Sequence, residues 1–358
     1  MIDLFRVAMS PEAIDRIAEV LTPDPFGRLY IGQGNLVEQF EAALMELLNL
    51  PAPPITTNSC TSAIDLALHL IGVGPGDAVV TTPMTCTATN SPIVTRGAIP
   101  VWADVDPWTG LIDPADVGRK ITRKTKAIMA VDWGGALCDY AALKQFGVPV
   151  VQDAAHHLTT PLGDYACYSF QAIKFLTCGD GGALWCPSRQ MERARLLRWY
   201  GLDRRSKADF RCEQNISEVG HKYHMSDIDA AIGLANIGMV RENIRICQGN
   251  AAYYDQHIES YQIAGRAPYS PSSSYWLYSI LMKNRDGFTS FMANKGIATS
   301  QVHARNDKHA AFHFPNGLLP GVDHFDAHQI NIPVGWWVTS SDREYIVNVI
   351  EEWSQCQI

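Results

Sequence analysis

The sequence predicts an α/β protein: a large, mostly parallel sheet domain followed by a smaller α+β domain. Three observations carry this. Through the first half, short β-branched apolar runs alternate with helix-like stretches. The runs are apolar on both faces, as strands are when helices cover both sides of a parallel sheet. A length of 358 residues exceeds what one ordinary core serves, so two unequal domains are expected, residues 1–247 and 248–358.

The elements follow in order. AVVTTP (78–83), IPVWADV (99–105), AIMAV (127–131) and VPVVQD (148–153) read as strands, with helices at 61–71, 86–96, 114–121 and 139–146 between them. YACYSF (165–170) and GALWCP (182–187) add two strands, joined by a turn that holds Lys174. Helix 61–71 follows TTNSC, where Ser59 or Thr61 can cap it, and such a start is a natural anion site. A long helix is expected over 226–247, opened by SDID with Ser226 as N-cap. Residues 201–225 are polar, Arg-rich and without periodicity, and read as a long loop. Beyond 248, PYSPSSSYWLYSILMKN reads as loop then strand, DGFTSFMANKGI as helix then turn, and DREYIVNVIEEW as a closing helix.

Composition excludes several function classes. The formal net charge of −8 argues against a general nucleic-acid binder and against a polybasic membrane surface. The N-terminus reads as neither signal peptide nor anchor, and no segment approaches the ~20 apolar residues that span a bilayer. Nine cysteines without a C-x-x-C pair fit a reduced, cytoplasmic protein.

Four features fall in order on the α/β half: the hydroxyl-rich TNSCTSA at a helix start, Asp153 at the end of a strand, Ser169, and Lys174 in YSFQAIKFLTCGDGG. Open α/β sheets place ligands at the carboxyl ends of their strands, so these groups can converge. Lys174 stands among apolar and small residues, where an unpaired ammonium is costly. The set suits pyridoxal phosphate. A lysine amine forms a Schiff base with the cofactor aldehyde, an aspartate pairs with the pyridine nitrogen, and a helix N-terminus with Ser and Thr hydroxyls holds the phosphate.

The chain also resembles a known family over nearly its whole length. YIGQGNLVEQFEAAL (30–44), GVGPGDAVVTTPMTCTATNSPIVTRGAIPVWADVD (72–106), ITRKTKAIMAV (121–131), VVQDAAHHL (150–158), CYSFQAIKFLTCGDGGAL (167–184) and GHKYHMSDIDAAIGLANI (220–237) are similar to the DegT/DnrJ/EryC1/StrS aminotransferases. These are mostly nucleotide-sugar aminotransferases with the type I, aspartate aminotransferase-like fold. The resemblance implies that Lys174 is the Schiff-base lysine and proton shuttle, and that Asp153 pairs with the pyridine nitrogen. It implies that His156 lies near the ring hydroxyl, and that Ser169, Ser59, Cys60 and Thr61 bind phosphate. It further implies a homodimer with sites at the subunit interface, in which KYHMSD, with His224, reaches the neighbour's phosphate.

Some positions depart from the family pattern. Cys86 stands where an aromatic ring usually stacks on the cofactor, and His224 where Asn or Arg is usual, which would make its donor capacity pH-dependent. VDWGG (131–135) and IPVGWW (332–337) replace other segments. Tyr30, His303 and Trp336 are candidate substrate contacts, and Arg204, Arg205 and Lys207 a candidate clamp for a substrate diphosphate. DHFDAH (323–328) pairs two histidines four apart, but no Glu follows the first, and Pro315 and Pro320 make the region loop-like; no metal is assigned.

The expected function is therefore amino transfer from an amino acid, with glutamate the expected donor, to a keto-sugar, nucleotide-linked in the leading reading. A free keto-sugar acid or keto-cyclitol is the alternative acceptor. A catalytically silent PLP-binding regulator is the alternative of another class, against which the intact Lys174 and Asp153 weigh.

Overall fold

A computed structural model describes residues 1–29, 31–32, 34–206, 213–314 and 317–356. Two helices, α1 (Glu12–Val20) and α2 (Leu36–Leu47), come first. The alternating segment then gives β1 (Ile55–Thr57), α3 (Cys60–Ile71), β2 (Ala78–Thr81), α4 (Thr87–Thr95), β3 (Ile99–Trp102), α5 (Pro114–Lys120) and β4 (Thr125–Val131). It continues through α6 (Tyr140–Lys144), β5 (Val150–Asp153), β6 (Tyr165–Ser169), β7 (Gly182–Trp185) and α7 (Ser188–Arg198).

The seven strands form one sheet in the order β1-β7-β6-β5-β4-β2-β3. Every pairing is parallel except those of β7, which runs antiparallel to β1 and β6. Strands β2, β4, β5 and β6 are buried almost throughout, which is why they lack the polar alternation of a one-sided sheet. The carboxyl ends of β4, β5 and β6 lie side by side, since Val131 pairs with Asp153 and Asp153 with Cys167. Asp153 and Ser169 thereby come to one edge of the sheet.

The C-terminal part holds α8 (Asp227–Asn236), α9 (Val240–His257), β8 (Gly265–Arg266), β9 (Tyr278–Leu281), α10 (Arg285–Asn294), α11 (Pro320–His328), β10 (Gln329–Ile332) and α12 (Ser340–Gln355). Strands β10, β9 and β8 form a small antiparallel sheet.

Two expectations are corrected. The helix expected over 226–247 is two helices. Ser226 caps the first through a reciprocal capping box with Asp229, but a 3₁₀ turn at Ile237–Met239 separates α8 from α9. At the end of α8 the Asn236 side chain is tied to distant segments: its amide donates to the Thr177 carbonyl and its oxygen accepts from Ser10 N–H. A division at residue 247 consequently falls inside α9. The first residues of the chain pack on the C-terminal part: Ile2 bridges Ile297, and the Trp337 indole donates to the Asp3 carbonyl at 2.8 Å. Finally, the histidine-rich 320–328 stretch is helical. Pro320 occupies the first turn, where its missing N–H costs nothing.

Candidate active site

The side chains at the strand ends surround a cavity of about 520 Å³, within the range of small-molecule sites. Ser59, Cys60, Thr61, Cys86, Asp153, His156, Ser169, Lys174 and His303 all line it. The remaining candidates stand elsewhere. His224 lines a separate small pocket with Trp199 and Arg204. Trp336 packs at right angles to Trp337 in a turn whose carbonyls at Val334, Gly335 and Val338 are gathered by the Asn250 amide. IPVGWW is thus a packed turn. Tyr30 and Lys207 lie outside the described residues.

Lys174 follows β6 in the turn that leads to β7, and its amino group lies 3.6 Å from the centre of the Trp276 ring. Although the side chain keeps some exposure to the cavity, surrounding protein desolvates the ammonium and pulls its pKa down to about 8, opposed chiefly by Asp153. Asp153 is buried. Its carboxylate accepts from the Thr89 hydroxyl at 2.7 Å and from Ala155 N–H at 3.1 Å. Thr89 is in turn 2.8 Å from the Thr85 hydroxyl, so the two threonines line up behind the acid. Burial raises the Asp153 pKa, while these two donors and Lys174 lower it.

Helix α3 starts at the opposite wall. Ser59 caps it, with its hydroxyl accepting from Ser62 N–H at 3.1 Å. The N–H groups of Cys60 and Thr61 precede the first intrahelical bond and are free for an anion. Gly182 makes this placement possible: a Cβ there would stand 2.5 Å from Cys60 N and from the Ser59 carbonyl carbon. This close approach is the reason for the last glycine in GDGG.

His156 sits deep in the wall. Gly134 N–H donates to its Nδ1 at 3.2 Å, so the neutral ring carries its proton on Nε2. Burial, then Lys174, holds its pKa well below the usual histidine range. His303 is likewise pushed down to about 4 by burial and Lys174. Both histidines are neutral near pH 7. The same holds for His224, pulled down to about 3 by burial and by Lys222, Arg198 and Arg204.

The VDWGG segment forms the turn after β4. Asp132 holds it from below, accepting from Gln152 and Tyr140 side chains at 2.7 Å each and from Cys138 N–H. Gly134 and Gly135 both have positive φ, +62° and +95°. A Cβ on Gly135 would come within 2.0 Å of Ser274 Oγ. Residues 274–277 dock there: Ser274 N–H donates to Gly135 O, Leu277 N–H to Gly134 O, and the Ser274 hydroxyl to His156 O.

Among the cavity residues that sequence reasoning missed are Phe5, Thr89 and Trp276. Thr89 had a local signal, as one of the hydroxyls in TCTATN one turn into a helix. Phe5 and Trp276 arrive from distant segments, and nothing near either marks it. The polar stretch 303–309 reaches the site. His303 lines it, and buried Asn306 ties the stretch to the loop before α4 by donating to Thr85 O and accepting from the Asn90 amide. Arg204 and Arg205 do not line the cavity: Arg204 lies over the Trp199 ring and Arg205 pairs with Glu192. Among the described residues, no group of three metal-ligating side chains is assembled, and no helix is long and apolar enough to cross a membrane.

The chemistry of the cavity fits pyridoxal phosphate. It offers a desolvated lysine amine, a buried carboxylate, and a helix N-terminus with hydroxyls at the far end.

Comparison with known proteins agrees. The model of the DegT/DnrJ/EryC1/StrS aminotransferase family matches residues 10–351. The structure of AtS13 from Actinomadura melliaura is similar with a TM-score of 0.89 and 38% identity, covering 98% of each chain. The sugar aminotransferase CalS13 from Micromonospora echinospora is similar with a TM-score of 0.90 and 34% identity, covering 98% of this chain and 100% of that one. The spore coat polysaccharide biosynthesis protein SpsC of Bacillus subtilis (strain 168) is 33% identical over 240 residues. That match spans 62% of this chain and 60% of the length of SpsC.

Proposed function

The chain belongs to the DegT/DnrJ/EryC1/StrS family of pyridoxal-phosphate-dependent aminotransferases, and we propose that it moves an amino group from an amino acid, glutamate, to a nucleotide-linked keto-sugar. The observation that carries the reading is the convergence of Lys174 and Asp153 in one cavity with the start of α3. Likeness to CalS13, named a sugar aminotransferase, supports the sugar acceptor.

Bound pyridoxal phosphate supplies an aldehyde that captures amines and a pyridine ring that withdraws the electron pair left on the substrate carbon. This chain's residues do the rest. Ser59, Cys60, Thr61 and Ser169 bind the phosphate at the α3 N-terminus. Asp153, whose carboxylate Thr89 and Ala155 stabilise against burial, would hold the ring nitrogen in its protonated form. His156 donates from Nε2 to the ring oxygen, its tautomer set by Gly134. Lys174 captures the cofactor in the resting enzyme. With the cofactor bound and the lysine free, its neutral Nζ would carry a proton between the substrate carbon and the cofactor's former aldehyde carbon within each half-reaction. Cys86 packs at the cavity wall as a thin apolar side chain. A homodimer in which His224 serves the neighbour's phosphate, and a cytoplasmic location, belong to the same proposal.

Turnover with glutamate against a panel of nucleotide-linked and free keto-sugars tests the acceptor. Preference for nucleotide-linked sugars supports the reading; turnover confined to free keto-sugars or keto-cyclitols would overturn it.

A further inference from the structure

Trp276 has a position that simple packing does not require. It is 7% exposed, lines the cavity, and its indole N–H donates to the Ile173 carbonyl at 3.0 Å, on the residue before Lys174. The Phe5 and His156 rings lie roughly parallel to it, with centroids at 5.0 and 3.9 Å. The residue before it, Tyr275, has φ +51°, a conformation rare for an aromatic residue. Surrounding contacts enforce that conformation. Tyr275 N–H donates to the Ser273 hydroxyl, Ser270 N–H donates to the Tyr275 hydroxyl, and the neighbouring Ser274 and Leu277 are fixed to the Gly134–Gly135 turn. Backbone strain held in place by so many bonds next to a cavity side chain is the pattern of a functional placement.

We propose that Trp276 is the positioning residue of free Lys174, holding its amino group against the indole face, as the ammonium in cofactor-free protein and each time the lysine has taken up the substrate proton. The proposal rests on the reading of Lys174 as the cofactor-capturing lysine. The geometry is that of a cation–π contact, and in a desolvated site this contact favours the charged form. The other groups facing Lys174 are the Asp153 carboxylate, the Cys60 and Cys86 thiols, the neutral His156 and His303 rings, and Asp180 on the cavity rim. Of these, Asp153 also favours the ammonium, but it is committed to Thr89 and Ala155 and has the ring nitrogen as its partner in the loaded enzyme. Trp276 is therefore the contact that remains available to the displaced lysine throughout the cycle. It keeps the amine beside the reacting carbon instead of letting it swing toward solvent.

The test uses cofactor-free protein. Condensation of the neutral Lys174 amine with the cofactor aldehyde forms one carbon–nitrogen double bond and releases one water, and the ammonium cannot react. The pH dependence of the capture rate, followed by visible absorbance after mixing with pyridoxal phosphate, therefore reports the free lysine. The wild-type midpoint is expected near pH 8. Trp276→Leu removes the cation–π contact, and its midpoint is expected to fall by about half a unit to one unit. Trp276→Phe, which keeps a weaker ring, should fall part of the way. A purely structural tryptophan would lower cofactor affinity or stability and leave the midpoint in place, so an unmoved or raised midpoint overturns the proposal. Should Trp276→Leu fail to fold, Trp276→Phe alone decides by the same criterion. If wild-type protein captures no pyridoxal phosphate, it is the proposed function that fails.

Discussion

At the residue scale the site is a contest between burial and charge. Lys174 is the clearest case. Its folded pKa, about 8, lies below the ordinary 10.5 of an unfolded lysine. Below pH 8 both states hold the proton and folding carries the full desolvation cost. Between 8 and 10.5 the folded chain has released a proton that the unfolded chain still binds, so cofactor-free protein should gain stability as pH rises, by roughly 2–3 kcal/mol. Urea unfolding across that range should show the gain in wild type and lose it in Lys174→Ala. Behind Asp153, Thr89→Val removes the hydroxyl that stabilises the carboxylate. Unfolding is expected to cost about 1–2 kcal/mol less, and cofactor affinity should fall with it. Equal stability and affinity would show that Thr89 does not support the acid.

At the element scale the placement of these residues depends on two glycine-enabled approaches. The first brings the α3 N-terminus against β7 at Gly182; the second docks residues 274–277 on the turn after β4 at Gly135. Gly135→Ala places a Cβ 2.0 Å from Ser274 Oγ at a φ of +95°, and should destabilise by about 2–4 kcal/mol. A melting temperature equal to wild type would contradict the docking. The strands, most helices and the strand-end residues were legible in the sequence because each is written locally: apolar runs, a hydroxyl cap, an acid ending a strand. The break between α8 and α9 was not, because Asn236, where it falls, is tied to Thr177 and Ser10, far away in sequence. Trp276 was not, because its register is set by the Gly134–Gly135 turn some 140 residues earlier. Trp336 illustrates the converse. Its aromatic character suggested a ligand, while Asn250 and Asp3 fold its segment into a packed turn.

At the scale of the whole molecule, the cavity is assembled from the sheet, the N-terminal arm and the C-terminal part together. Phe5, Lys174, Trp276 and His303 come from three separate stretches of chain. His224 does not reach it, and Phe26 and Val219 are each 80% exposed on the surface. These facts support the proposed dimer, with His224 acting on the partner's site. Mixing Lys174→Ala with His224→Ala protein tests this. If His224 acts across the interface, mixed dimers contain one native site, and activity returns on mixing. If it acts within its own chain, no mixed dimer has a native site, and mixing restores nothing.

The central claim is that Lys174 captures pyridoxal phosphate. The direct measurement is to mix purified protein with the cofactor, reduce with borohydride, and locate the adduct by peptide mass. The account expects a visible absorption band in wild type, a reduced adduct on Lys174, and neither in Lys174→Ala. An adduct on another lysine, or wild-type protein that takes up no cofactor, would contradict it.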